Sequence, residues 1–302
     1  MRVTQKIIYS HIIENLGNIT EDIKNLNEMI SSGKKIRHPS DDPIGTVNIL
    51  EIEKLLSSIK QYRRNIEFGN NWLRDMENVI QNSIETVVRA KEIAVQMAND
   101  TYNAAQRKDA AMEIDAILRE MVSLGNSKFQ KKYIFSGYKT DTSPFEVTEN
   151  ADGKITSVTY NGDKNSIKIK ISQNNYIKIG KYGTEIFGEE TEESYAFSVL
   201  IRLRDALENN DISGIQNELD NLDQIHQRLS NNISDIGAKM NRLEIRKNIF
   251  SQSELDLQER LSTIQDTDIV EAITVLKSKE AIYQTALLSS TKITQISLVN
   301  YL

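Results

Sequence analysis

From Ile212 to Ile264 an apolar residue returns at every seventh position: Ile215, Leu222, Leu229, Ile236, Leu243, Phe250, Leu257 and Ile264. No proline interrupts the run, so one helix of roughly 80 Å carries a continuous stripe. A seven-residue repeat kept for that length twists left-handed around a partner, because a straight helix would rotate the stripe away. The positions four residues further on, from Leu219 through His226, Ile233, Met240, Lys247 and Glu254 to Leu261, are read as the second line of the seam. A lone helix cannot hide such a face, so the rest of the chain has to cover it.

The segment from Pro43 to Asn99 offers that cover. Ile52, Ile59, Ile66, Leu73, Ile80, Val87 and Ala94 are seven apart, with Leu55, Tyr62, Gly69, Met76, Ser83, Ala90 and Met97 three later. A third helix, about 104–128, gathers Ala111, Ile114, Leu118, Met121 and Gly125 on one face. The expected fold is mainly α: long antiparallel heptad helices in a bundle. Near Phe129 the pattern changes. FEVTE before Asp152-Gly153, KITSVTY before Asn161-Gly162, then SIKIKIS and NNYIKIG alternate with period two. Residues 141–190 therefore read as a small inserted antiparallel β module, with a hairpin turn at Asn161-Gly162.

Both ends of the chain are amphipathic. Over 4–32 the apolar residues Ile8, Ile12, Leu16, Ile19, Ile23, Leu26 and Ile30 form one stripe, and Gly33 supplies a C-cap. In SSGKKIRHPSDDPIGT, Asp42 before Pro43 is an N-cap pair for the second helix, a stronger reading of Asp41-Asp42 than a metal site. Asp266, Thr267 and Asp268 offer caps for a last helix bearing Ile269, Ile273, Leu276, Tyr283 and Leu287. The domains expected are 1–42 with 265–302 as paired terminal helices, 43–140 with 191–264 as the bundle, and 141–190 as the β insert. Pairing two terminal helices covers only one side of each. The twelve terminal residues just named are accordingly the candidate subunit interface, expected to order fully only when neighbouring copies complete it.

Composition narrows function by exclusion. The chain has 302 residues, no cysteine, and a net charge of −6. Disulfides, zinc thiolates and thiol catalysis are excluded, and the charge is not that of a nucleic-acid binder. No apolar run reaches the ~18 residues of a membrane span, and the amino terminus lacks the apolar core of a Sec signal. His11, His38 and His226 sit in no ligand motif, and no Walker, G-x-S-x-G, H-E-x-x-H or dinucleotide pattern occurs. No enzyme, cofactor or metal is expected. Trp72 reads as core edge, and Arg63 and Arg64 as a solvated face.

SGKKIRHPSDDP and the tail LSTIQDTDIVEAITVLKSKEAIYQTALLSSTKITQISLVNYL resemble the two ends of the flagellin and hook-associated family. YIFSGYKTDTSPF, TYNGD, GTEIFG and the ending SLVNYL are similar to the family's hook–filament junction members. The resemblance implies a flagellar structural protein that is exported unfolded by the type III route. It implies terminal helices in the axial core, the bundle in the tube wall, and the β module outside. The partners it implies are hook-associated protein 1, flagellin, further copies in a ring, and an export chaperone on the carboxyl-terminal segment. A flagellin-type filament subunit is the alternative.

Overall fold

The computed structural model of the chain describes the backbone of residues 2–299 and the side chains of residue 7 and residues 9–291. In chain order the helices and strands are α1 Arg2–Ser32, α2 Pro43–Met97, α3 Ala104–Gly125, β1 Lys128–Phe129, β2 Lys132–Tyr133, β3 Phe145–Glu149, β4 Ile155–Tyr160, β5 Lys168–Lys170, β6 Tyr176–Lys178, α4 Gly183–Phe187, α5 Ala196–Glu208, α6 Ile212–Gln265 and α7 Ile269–Val299. The fold is mainly α, with small antiparallel two-stranded sheets. The chain forms two compact units, a terminal one of residues 1–58 with 252–302 and a central one of residues 59–251.

In the central unit the α2 seam is buried as its spacing predicts: Ile66, Leu73, Ile80, Val87 and Ala94 are all closed to solvent. On α6, Ile215, Leu222, Leu229, Ile236 and Leu243 are equally buried. The two helices run antiparallel, because Tyr62 stacks on Phe250 and Lys91 pairs with Asp223. One detail of the seam differs from expectation. Its second buried line on α6 is Glu218, Ile225 and Asn232, three residues after the first line. The line four residues after it, Leu219, His226, Ile233 and Met240, is a half-buried flank. The polar members have partners that make their burial tolerable: Arg202 binds Glu218 through two nitrogens, and Asn232 donates to the Arg228 and Glu185 carbonyls.

Helix α3 begins at a capping box, in which Asn103 accepts from the Gln106 amide and Gln106 from that of Asn103. All five residues expected on its inner face are buried. It packs against α5, a helix that the heptad pattern does not mark. Trp72, 1% exposed, lies edge-on to Phe129.

The β segment holds separate hairpins. β3 pairs with β4 around the Asp152-Gly153 turn, as expected. β4 does not continue into a second hairpin at Asn161-Gly162, and β5 pairs with β6 instead. The reason lies in Asp163. Its carboxylate accepts the amides of Tyr138 and Asn165, and its own amide reaches the Ser136 carbonyl. The chain after β4 is thereby tied to the 136–138 loop and unavailable for strand pairing. Phe145, Phe187 and Phe197 close the core here, with Phe145 edge-on to Phe187 at 5.4 Å and 4.8 Å from Phe197. Gly125 and Gly183 admit this cluster, since a Cβ at either would lie within 2.7 Å of the Phe145 ring.

Candidate assembly interface

The terminal unit starts from two polar loops. Gly33, at φ +71°, ends α1 in the left-handed region that glycine enters without strain. Beyond it the 34–42 loop and the 266–268 loop run antiparallel: the Lys35 amide donates to the Gln265 carbonyl and the Thr267 amide to that of Gly33. Asp41 accepts the amides of His38 and Arg37 at 2.9 and 3.0 Å, which holds its carboxyl below the ordinary aspartate range. Asp42 accepts the Ile44 and Gly45 amides and so caps α2, as the Asp-Pro pair predicts. Asp268 does the same for α7 with Val270 and Glu271. Arg37 binds Glu28 and keeps the glutamate carboxyl low. The SGKKIRHPSDDP stretch is thus a capping and loop-locking device, and the described residues hold no cluster with metal-ligand geometry.

These loops set α1 and α7 antiparallel, with Lys279 bonded to Asp22 at 2.6 Å. On α1, Ile12, Leu16, Ile19, Ile23, Leu26 and Ile30 are half-buried along the side that meets α7. The Ile8 side chain lies outside the described residues. On α7 the covered line is Ala272, Leu276, Tyr283 and Ala286. Ile269, Ile273 and Leu287, grouped with Leu276 and Tyr283 from the sequence, are instead exposed. Only Leu276 and Tyr283 of that set therefore share the α1-facing side. Ala272 and Ala286, too small to stand out in a hydrophobic stripe, complete it.

What remains uncovered is large. Val270 is 76% exposed, and Val275, Ile282 and Leu288 join Ile269, Ile273 and Leu287 in facing solvent. Ser278, Ala281, Thr285 and Ser289 flank Ile282 in a shallow groove of about 430 Å³. Apolar residues thus extend well beyond the α1-facing side of α7, leaving one exposed polar strip at Glu271, Thr274, Ser278, Thr285 and Ser289, while α1 covers one side alone. Ile44, Val47, Leu50 and Leu55 of α2 and Leu255 of α6 are also exposed in this unit. These exposed apolar side chains are the candidate assembly surface. No helix among the described residues is long and apolar enough to cross a membrane.

Two family models match the chain: the bacterial flagellin N-terminal helical region over residues 3–140 and the C-terminal helical region over residues 219–302. The chain belongs to the bacterial flagellin family. Flagellar hook-associated protein 3 of Escherichia coli is 25% identical over 314 residues, spanning 97% of this chain and 95% of that protein. A filament 30.7 kDa core protein of Treponema maltophilum is 23% identical over 258 residues, 85% of this chain and 84% of the relative. The crystal structure of Bacillus cereus FlgL is similar at a TM-score of 0.58 and 26% identity, covering 69% of this chain and 97% of that one. As a flagellin-family protein the chain is a structural component of the flagellum. Its two family regions hold α1 to α3 and most of α6 with α7, and leave the β3–β6 hairpins and α5 between them.

Proposed function

We propose that this chain is the subunit that joins the flagellar hook to the filament, polymerising through its terminal helices and carrying no enzymatic activity. The observation that carries the reading is α7, whose exposed apolar residues extend well beyond the one side that α1 covers. In an assembly, neighbouring copies would cover Ile273, Ile282 and Leu288, and the α1–α7 pair would line the axial core. On this reading residues 1–42 and 265–302 form that core, 43–140 and 191–264 the wall, and 141–190 the outer face. Hook-associated protein 1 lies on one side of a ring of copies and flagellin on the other. Export proceeds through the flagellar type III channel to the cell exterior, with a chaperone holding the carboxyl-terminal segment beforehand. That exposed, apolar segment is the natural ligand of such a chaperone.

The 25% identity to hook-associated protein 3 and the 26% identity to Bacillus cereus FlgL support the junction role over the filament role. A filament subunit, the second reading, is favoured by the match to the Treponema maltophilum core protein. Complementation separates them. In cells lacking their own junction protein, this chain restores attached filaments and is found at the hook end. Localisation along the filament, or long homopolymers from the purified chain, establishes the second reading instead.

A further inference from the structure

The β5–β6 hairpin carries a destabilising arrangement that its fold does not require. Its register sets Lys168 directly opposite Lys178 and Lys170 opposite Tyr176, with Ile169 opposite Ile177. The isoleucines are buried, whereas Lys168, Lys178 and Tyr176 are exposed and Lys170 is half-buried. Like charges directly opposite one another weaken an antiparallel pair. Other lysines near this module have carboxylate partners: Lys154 has Glu208, Lys164 has Glu189, and Lys181 has Glu185 and Asp235. Lys168, Lys170 and Lys178 make no ion pair among the described residues. The hairpin is also held in place, since Asn65 of α2 donates to the Lys170 carbonyl at 2.8 Å and Ile169 sits over Gly69. Its turn adds three exposed carboxamides, Gln173, Asn174 and Asn175.

We propose that this outer face binds an acidic polysaccharide, the sugar carboxylates meeting the three ammonium groups and a sugar ring lying on Tyr176. The chemistry selects that class. Ammonium groups on flexible stems are point charges that pair with spaced anionic oxygens without a planar bidentate geometry. An exposed ring among carboxamides matches the C–H face and hydroxyls of a pyranose. A single-strand nucleic-acid surface instead lines up several stacking rings along a groove. Lysines on exposed strands also shield a sheet from unwanted pairing, but that role uses neither the ring nor the turn. The inference stands apart from the flagellar reading.

The test is binding of the full chain to alginate, neutral dextran and single-stranded DNA at low salt. Alginate is bound and dextran is not. Replacing Lys168→Gln and Lys178→Gln together weakens alginate binding by about tenfold or more, through lost counterion release. Tyr176→Ala weakens it as well, and Tyr176→Phe restores it. The double lysine variant melts no lower than the parent, because the opposed charges are gone, so its loss of binding is not a loss of fold. Alginate held no better than dextran, DNA held more tightly than alginate, or a double lysine or Tyr176→Ala variant that binds like the parent would each overturn the proposal.

Discussion

The ring of Tyr62 on α2 stacks on that of Phe250 on α6, with centroids 5.7 Å apart and planes 25° from parallel. This contact fixes the register of the two long helices at one end of the central unit, as the Lys91–Asp223 pair does further along. Between them Ile66, Leu73, Ile80 and Val87 of α2 and Leu229, Ile236 and Leu243 of α6 are buried within the same chain. The central unit is therefore satisfied by its own sequence, and the exposed apolar faces of the terminal unit are not.

Leu229→Asp tests the first half of that contrast. Leu229 is fully buried on the α6 seam, and a carboxylate there has no partner, which costs several kcal/mol. The variant loses the cooperative thermal transition of the central unit, measured by circular dichroism. A transition retained at the parent's temperature contradicts the assignment of this seam to intramolecular packing.

Ile19→Asp and Leu276→Asp test the second half. Both sit on terminal helices, outside the central unit. Each leaves the central transition intact and removes the protein from assembled flagella, read by immunoblot of sheared preparations. Parent-level incorporation is the opposite outcome.

Phe145→Ala removes the ring that Phe187, Phe197 and Tyr160 all touch. Guanidinium melts show a loss of about 3–5 kcal/mol for a deletion of this size. Gly183→Ala presses a methyl against the same ring and costs about 1–3 kcal/mol. Equal stability in either variant would mean that the cluster does not hold the hairpins to the helices.

How far these features were legible in the sequence depended on period and on side-chain size. Heptads of isoleucine and leucine announced α2 and α6 to within a residue or two, and Asp42-Pro43 announced the α2 cap. Glu218 and Asn232 were missed as seam positions because the burial of polar side chains depends on partners, Arg202 and the Glu185 carbonyl, that are brought there from elsewhere. Ala272 and Ala286 were missed because a small residue reads as neutral in a stripe. Helix α5 went unseen because its apolar residues, from Phe197 to Leu207, serve α3 and the β hairpins and lie outside the heptad seam. Asn161-Gly162 looked like a hairpin turn, and the Asp163 carboxylate redirected it through contacts to the 136–138 loop.

The buried Lys181 ammonium bonds Asp235 at 2.8 Å and Glu185 at 2.6 Å. Burial pushes the Asp235 carboxyl up, but hydrogen bonds from Lys181 and Lys239 outweigh it and hold the group below the ordinary value. Burial likewise pushes Lys181 down, and Asp235 and Glu185 more than reverse it. A lowered carboxyl contributes stability present above its unfolded pKa, near about 4, and lost as pH falls through the folded value. A raised ammonium contributes stability present below its unfolded pKa of about 10.4 and lost as pH rises beyond it. The melting temperature of the central unit falls below about pH 4, and Asp235→Asn flattens that acid limb. An acid limb as steep in the variant as in the parent removes this pair as its source.

Hydrogen exchange on the isolated chain and on assembled flagella separates the two units. Amides of residues 66–94 and 215–243 exchange slowly in both states. Those of residues 12–30 and 269–290 become slow only on assembly. Terminal helices as protected in the isolated chain as the α2–α6 seam, and unchanged on assembly, would contradict that separation.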